Sequence, residues 1–191
     1  MFEPFLDLNE WLRSYCQKNS IQLVDAYPAL ADHEGLLDGK YDSGDGLHLN
    51  GDGYKAFGRF IASEIEDLLK DGTVVACLGD SLTEGYPGYF VGEEEGALWK
   101  PYPFYLERKG ITVINFGHSG DTTLDIMRRF HSQVRVHEPL PDICIVHGGA
   151  NDLLSDFPIE QVEGNLAELY RACKRHKMMP IAVTLLPVMI R

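Results

Sequence analysis

Residues 74–85, VVACLGDSLTEG, set the tightest limit on how this chain can fold. Val74 to Leu78 are apolar without alternation, and a glycine-bearing polar turn closes the run. A strand of that kind is buried on both faces, as in parallel sheets covered by helices. The pattern returns at ITVIN (111–115) before GHSGDTT, at DICIVH (142–147) before GGAND, and at PIAVTLL, where a strand is expected over 181–186. A fifth run, Ile21 to Val24, precedes residues 25–46, a long irregular connection of a length that is usually functional or mobile.

Helical periodicity fills the gaps. Leu8, Trp11, Leu12, Tyr15 and Cys16 form an apolar stripe on a helix over 5–18. Phe57, Phe60, Ile61, Ile65, Leu68 and Leu69 mark a second helix, with Gly72 as the residue that closes it. Pro103 opens a short helix through Leu106 that Gly110 ends. Leu124, Met127 and Phe130 mark another, and Val162, Leu166, Leu169, Tyr170 and Cys173 a last one. Strands alternating with helices call for an α/β fold, because right-handed crossovers place helices on both faces of a parallel sheet. All the polar turns that follow the strands then share one edge, where open α/β sheets hold their ligands.

A chain of 191 residues with 45% hydrophobic content has the core of one domain, expected over 1–191. A formal charge of −12 argues against a nucleic-acid or anionic-membrane surface. No apolar run approaches the ~20 residues of a membrane span, and MFEPFLDLNEWL carries acids where a signal peptide is basic, so a cytoplasmic location without membrane insertion is expected. Cys16, Cys77, Cys144 and Cys173 are scattered and read as buried thiols. Glu93, Glu94 and Glu95 read as a solvated loop.

Ser81, on the turn after the 74–78 strand, is the candidate nucleophile; the alternative is that GDS is only a turn in which Ser81 or Thr83 caps a helix. A serine hydroxyl needs a base, and an imidazole with its ordinary pKa of ~6.5 is suited to that. His48 is the candidate, with Asp45 three residues earlier to orient the ring. Asn151 offers a side-chain N–H, and Gly120 and Ser81 offer backbone N–H groups, as donors to a developing oxyanion. Asp80 is expected to brace its turn, and Thr122, Thr123 and Asp152 to act as supporting donors and caps. Tyr86, Tyr89, Phe90, Trp99 and Tyr102 either line an acyl or sugar pocket or pack on their own helix.

Those blocks resemble the SGNH (GDSL-type) hydrolases. GDSL at 79–82 matches the first block, GHSGDTT at 117–123 is similar to the second, GGAND at 148–152 matches the third and DGLH at 45–48 the last. The resemblance implies a three-layer α/β/α sandwich with a five-stranded flavodoxin-like sheet, and a metal-free esterase, lipase, thioesterase or deacetylase without a cofactor. It implies Ser81 as nucleophile, His48 as base, Asp45 as its orienter, and an oxyanion hole from Ser81 N–H, Gly120 N–H and Asn151 Nδ2. The substrate would be a small-molecule ester, with a small or medium acyl group.

One departure is large: the Asp/His block precedes the serine block. The order resembles a circular permutant in which 1–70 corresponds to the usual C-terminal part and 73–191 to the usual N-terminal part, joined by a turn at Lys70, Asp71 and Gly72. The 74–78 strand should then lie beside those at 111–115 and 142–147, the 21–24 strand at an edge, and both termini near the site. Termini far apart would point instead to exchange of a terminal segment in a homodimer. Permutation could also leave residues 25–46 mobile and Asp45 and His48 misplaced. Two other functions stay open: a metal-dependent phosphoesterase using His118, His147, Asp152, Asp45 and His48, and a catalytically silent binding module. His33, His131, His137 and His176 read as surface residues.

Overall fold

A computed structural model describes residues 2–90 and 96–189. The acidic triplet 93–95 and the terminal residues Met1 and Arg191 lie outside the described residues. The chain begins with α1 (Glu3–Asn19), which has Pro4 in its first turn and ends at Ser20 in a left-handed conformation (φ 50°). Strand β1 (Gln22–Val24), a single helical turn α2 (Tyr27–Leu30) and helix α3 (Gly51–Glu64) follow. The second part of the chain contributes β2 (Val74–Gly79), α4 (Ser81–Glu84), β3 (Thr112–Gly117), α5 (Thr123–Arg129), β4 (Ile143–His147), α6 (Ala150–Leu154), α7 (Ile159–Arg175) and β5 (Met179–Val183).

The five strands form one parallel sheet in the order β1-β5-β4-β2-β3. As expected from sequence, β2 lies between β3 and β4, and β1 is at an edge. Counted from β2, the order is the flavodoxin-like 2-1-3-4-5. Alternate residues face opposite layers. Ala76, Leu78, Cys144, Val146 and Ala182 pack with α1, α5, α6 and α7. Val75, Cys77, Ile143, Ile145, Ile181 and Val183 pack with α2, α3 and the short helical turn Tyr102–Leu106. All four cysteines are buried free thiols. Among the described residues no helix is long and apolar enough to cross a membrane.

Three local expectations need correction. Helix α3 stops at Glu64, short of Leu68, and a 3₁₀ turn follows at Glu66–Leu68. Arg108 donates to the carbonyls of Glu66 (3.2 Å) and Leu69 (2.8 Å), which pins this turn and the residue after it. Gly72 therefore caps no helix; at φ +88° it belongs to the turn into β2, and its N–H donates to Gly110 O. On α5 the buried apolar positions are Ile126 and, just beyond, Phe130, while Leu124 is exposed. Thr122 starts α5 through a reciprocal capping box with Asp125, and this start fixes the helix phase that Leu124 alone does not reveal.

The described chain ends meet the site edge. Asn9 of α1 donates to Leu185 O (2.9 Å) and accepts from Leu185 N–H (2.7 Å), just past the carboxyl end of β5. Met189 N–H donates to Gly46 O (2.7 Å) in the loop that carries Asp45 and His48.

Candidate active site

Gly79 pairs in register with Gly117 of β3 and His147 of β4. The three strands thus end level, and the turns beyond them carry Ser81, Gly120 and Asn151. Crowding demands glycine here: a Cβ on Gly79 would sit 2.1 Å from Thr83 Oγ1, and one on Gly117 2.1 Å from Glu84 N. Asp80 caps α4 by accepting from Leu82 N–H at 3.0 Å. Ser81 is consequently the first residue of the helix rather than its cap, which leaves its hydroxyl for other partners. Its residue exposure is only 8%.

The partner comes from the segment before α3, 33 positions earlier in the chain. His48 Nε2 lies 3.0 Å from Ser81 Oγ, and His48 Nδ1 lies 2.7 Å from Asp45 Oδ2. An ionised carboxylate offers only lone pairs, so Nδ1 carries the ring proton and Nε2 accepts from the serine hydroxyl. Asp45 Oδ1 also accepts from the N–H groups of Leu47 (2.9 Å) and His48 (2.8 Å). Partial burial raises the Asp45 pKa, but these N–H donors and the imidazole outweigh it and hold the carboxyl below its ordinary value.

Hydrogen bonds brace the segment that carries this pair. Gly46 N–H donates to Asp42 Oδ1 (2.9 Å), and Ser43 N–H to His48 O (2.9 Å). Asn50 caps α3 through Gly53 N–H (3.0 Å) while its Nδ2 donates to Lys40 O (2.9 Å) and Asp42 O (3.1 Å). Tyr54 of α3 donates to Tyr86 O at 2.6 Å, and the Tyr86 ring meets the His48 ring edge-on at 4.7 Å. Sequence reasoning did not single out Tyr54, because a buried tyrosine on a helix face looks like any core residue.

Gly120 adopts φ +86°, and a Cβ there would meet none of the described residues within 4 Å, so the conformation rather than crowding calls for glycine. Asn151 Nδ2 donates one N–H to Asp121 O at 2.8 Å, which orients the amide and leaves the second N–H to serve a ligand. Glu84 accepts from Ser119 N–H (2.9 Å) and from the Ser119 hydroxyl, tying the second turn to α4. Asp152 accepts from Thr123 N–H (2.8 Å) and Oγ1 (2.6 Å), in line with the supporting roles expected of both. Of the aromatics, Tyr102 is fully buried, and Trp99 packs on Tyr54 while donating to Gly85 O (3.1 Å). Phe90 is exposed, edge-on to Tyr86.

The metallohydrolase set does not assemble. His147 is buried against Phe57, and burial lowers its pKa to about 4, which keeps it neutral. His118 is exposed beside Asp121. Among the described residues no three His, Cys, Asp or Glu side chains form a group able to hold a metal ion.

Comparison with known families matches the second part of the chain. The sequence model described as the GDSL-like lipase/acylhydrolase family matches residues 77–191, a stretch holding Ser81, Gly120 and Asn151. An arylesterase of Vibrio mimicus is 33% identical over 97 residues, 51% of this chain and 46% of that protein. Among solved structures, AlinE4, described as an SGNH-hydrolase family esterase, is 30% identical with a TM-score of 0.50, covering 60% of this chain and 59% of that one. The psychrotrophic esterase EstA from Pseudoalteromonas sp. is 26% identical, covers 58% of each chain and gives a TM-score of 0.47. The chain therefore spans about half the length of the curated relative that it matches.

Proposed function

The chain belongs to the GDSL-like lipase/acylhydrolase family, a family of esterase-type hydrolases, and on that premise we propose that it cleaves carboxylic esters through an acyl-enzyme on Ser81. The observation that carries this reading is the position of His48, 3.0 Å from Ser81 Oγ and 2.7 Å from Asp45. Ser81 Oγ attacks the ester carbonyl carbon as its proton passes to His48 Nε2. Negative charge moves to the carbonyl oxygen, where Ser81 N–H, Gly120 N–H and Asn151 Nδ2–H receive it. The intermediate collapses, the C–O bond to the alcohol breaks, and the alcohol leaves with the proton from Nε2. Water then attacks the acyl carbon with His48 again as base, releasing the acid and restoring the Ser81 hydroxyl. Asp45 holds the ring and stabilises the imidazolium throughout.

The edge-on contact of Tyr86 with His48 and the exposed Phe90 beside it supply an aromatic wall for a small or medium acyl group. We further propose that the chain is one domain with its blocks in permuted order. Supporting this are the 2-1-3-4-5 strand order counted from β2, the Lys70–Thr73 turn before it, and chain ends that both reach the site edge.

Hydrolysis of p-nitrophenyl acetate tests the mechanism. The wild type is expected to turn over with and without EDTA, and Ser81→Ala to lose on the order of 10⁶-fold in kcat. Chelator-sensitive activity that survives Ser81→Ala would instead indicate a metal-dependent hydrolase. An inactive wild type across short acyl esters would indicate a binding module.

A further inference from the structure

Sequence gave no reason to single out Arg129, the last residue of α5, yet its guanidinium joins the turns around Ser81. Nη2 donates to Gly79 O at 2.7 Å, two residues before the serine, and Nη1 donates to Phe116 O near the end of β3. Nε donates to Asp121 Oδ2 at 2.5 Å, and both side chains are largely buried, at 14% and 12% exposure. Asp121 directly follows Gly120, and its carbonyl oxygen is the acceptor that orients the Asn151 amide. One planar group thus links the nucleophile turn, the Gly120 turn and, through Asp121, the side chain of Asn151. A lysine ammonium is a point donor and cannot span three acceptors arranged around a fork. The Glu84–Ser119 pair holds the other side of the same turn, so the turn has support that does not depend on Arg129.

We infer that Arg129 is a positioning residue for the oxyanion hole, setting Gly120 N–H and Asn151 Nδ2 relative to Ser81 through its bond to Asp121. The inference rests on the ester-hydrolase reading above for its kinetic consequences, although not for its geometry. An error near 1 Å in such a site costs on the order of 10²-fold in rate. In p-nitrophenyl acetate hydrolysis, Arg129→Lys and Asp121→Asn are each expected to lower kcat about 10- to 100-fold with KM within about twofold. Arg128→Gln, one residue away, exposed and paired with Asp125, should leave kcat unchanged.

The decisive arm is a double-mutant cycle with Asn151→Ala. If Arg129 acts through Asn151, adding Arg129→Lys to Asn151→Ala lowers kcat by much less than it does in the wild type. Full multiplication of the two effects, or a kcat for Arg129→Lys equal to wild type, would overturn the proposal. Asp121→Asn keeps the side-chain shape and removes the charge pair, so it decides the matter if Arg129→Lys fails to fold. A second readout needs no turnover: the Asn151 side-chain amide resonances in ¹⁵N-labelled protein should move in Arg129→Lys and stay put in Arg128→Gln. An inactive wild type would refute the ester-hydrolase reading, while unmoved Asn151 resonances would refute the role of Arg129.

Discussion

Asp80 shows how a residue next to Ser81 is tuned by its surroundings. Burial pushes its carboxyl up to about 7; the Leu82 N–H opposes this, and the nearby charges of Asp121 and Asp152 add to it. One carboxyl oxygen bonds Leu82 while the other, Oδ2, finds no hydrogen-bond partner among the described residues. A folded-state pKa above the unfolded value of ~3.9 means that the fold binds this proton more tightly than the open chain does. The associated stability is complete below about pH 3.9 and is lost as pH rises through about 7. Asp80→Asn keeps an acceptor for Leu82 and removes the ionisation. Thermal melts should therefore show its Tm gaining on wild type as pH goes from 4 to 8, with most of the gain in place by pH 7. A constant difference across that range would refute the shift. Asp45 behaves in the opposite sense: its lowered pKa gives stability above the unfolded value that disappears as pH falls through the folded one, and its side chain, 46% exposed, keeps that effect small.

At the scale of elements, the site depends on how closely β2, β3 and α4 approach one another. A methyl group on Gly117 would lie 2.1 Å from the backbone nitrogen of Glu84, which no rotamer change can relieve. Gly117→Ala is expected to cost about 1–3 kcal/mol by overpacking, read as a lower denaturant midpoint with unchanged slope. Gly164 is the contrasting case, on the exposed side of α7, where the added carbon meets none of the described residues within 4 Å. Gly164→Ala should stabilise by about 0.5–1 kcal/mol in the same assay. The glycine-bearing turns that end β2, β3 and β4 are readable in the sequence because each interrupts an apolar run. The phase of α5 is not, since Leu124 and Ile126 are equally apolar and only the cap at Thr122 and the packing of Phe130 decide which faces inward.

For the whole molecule, the two parts either side of Lys70–Thr73 are held together by contacts rather than by that turn. Strand β1 pairs with β5, Asn9 is bonded both ways to Leu185, and Ala26 N–H donates to Thr184 Oγ1 at 2.9 Å. A protease site inserted in the exposed Lys70–Asp71–Gly72 turn tests this. After cleavage the two fragments should co-elute on size exclusion and retain hydrolysis of p-nitrophenyl acetate. The second fragment alone, without Asp45 and His48, should be inactive. Separation of the fragments with activity kept by one of them would contradict both expectations.

The amino-acid sequence by itself determined the α/β class, the five strands and the residue types at the site, because uninterrupted apolar runs and glycine turns are local signals. It also determined that Asp45 and His48 lie close together, as a three-residue spacing requires. Only the tertiary structure decided that this pair reaches Ser81, 33 positions further along the chain, since that depends on α3 and the bracing of residues 42–50. The same holds for Arg129. Its three acceptors are Gly79 O, Phe116 O and the Asp121 carboxylate, two of them backbone oxygens that every residue type possesses, so no side-chain pattern in the sequence can mark them.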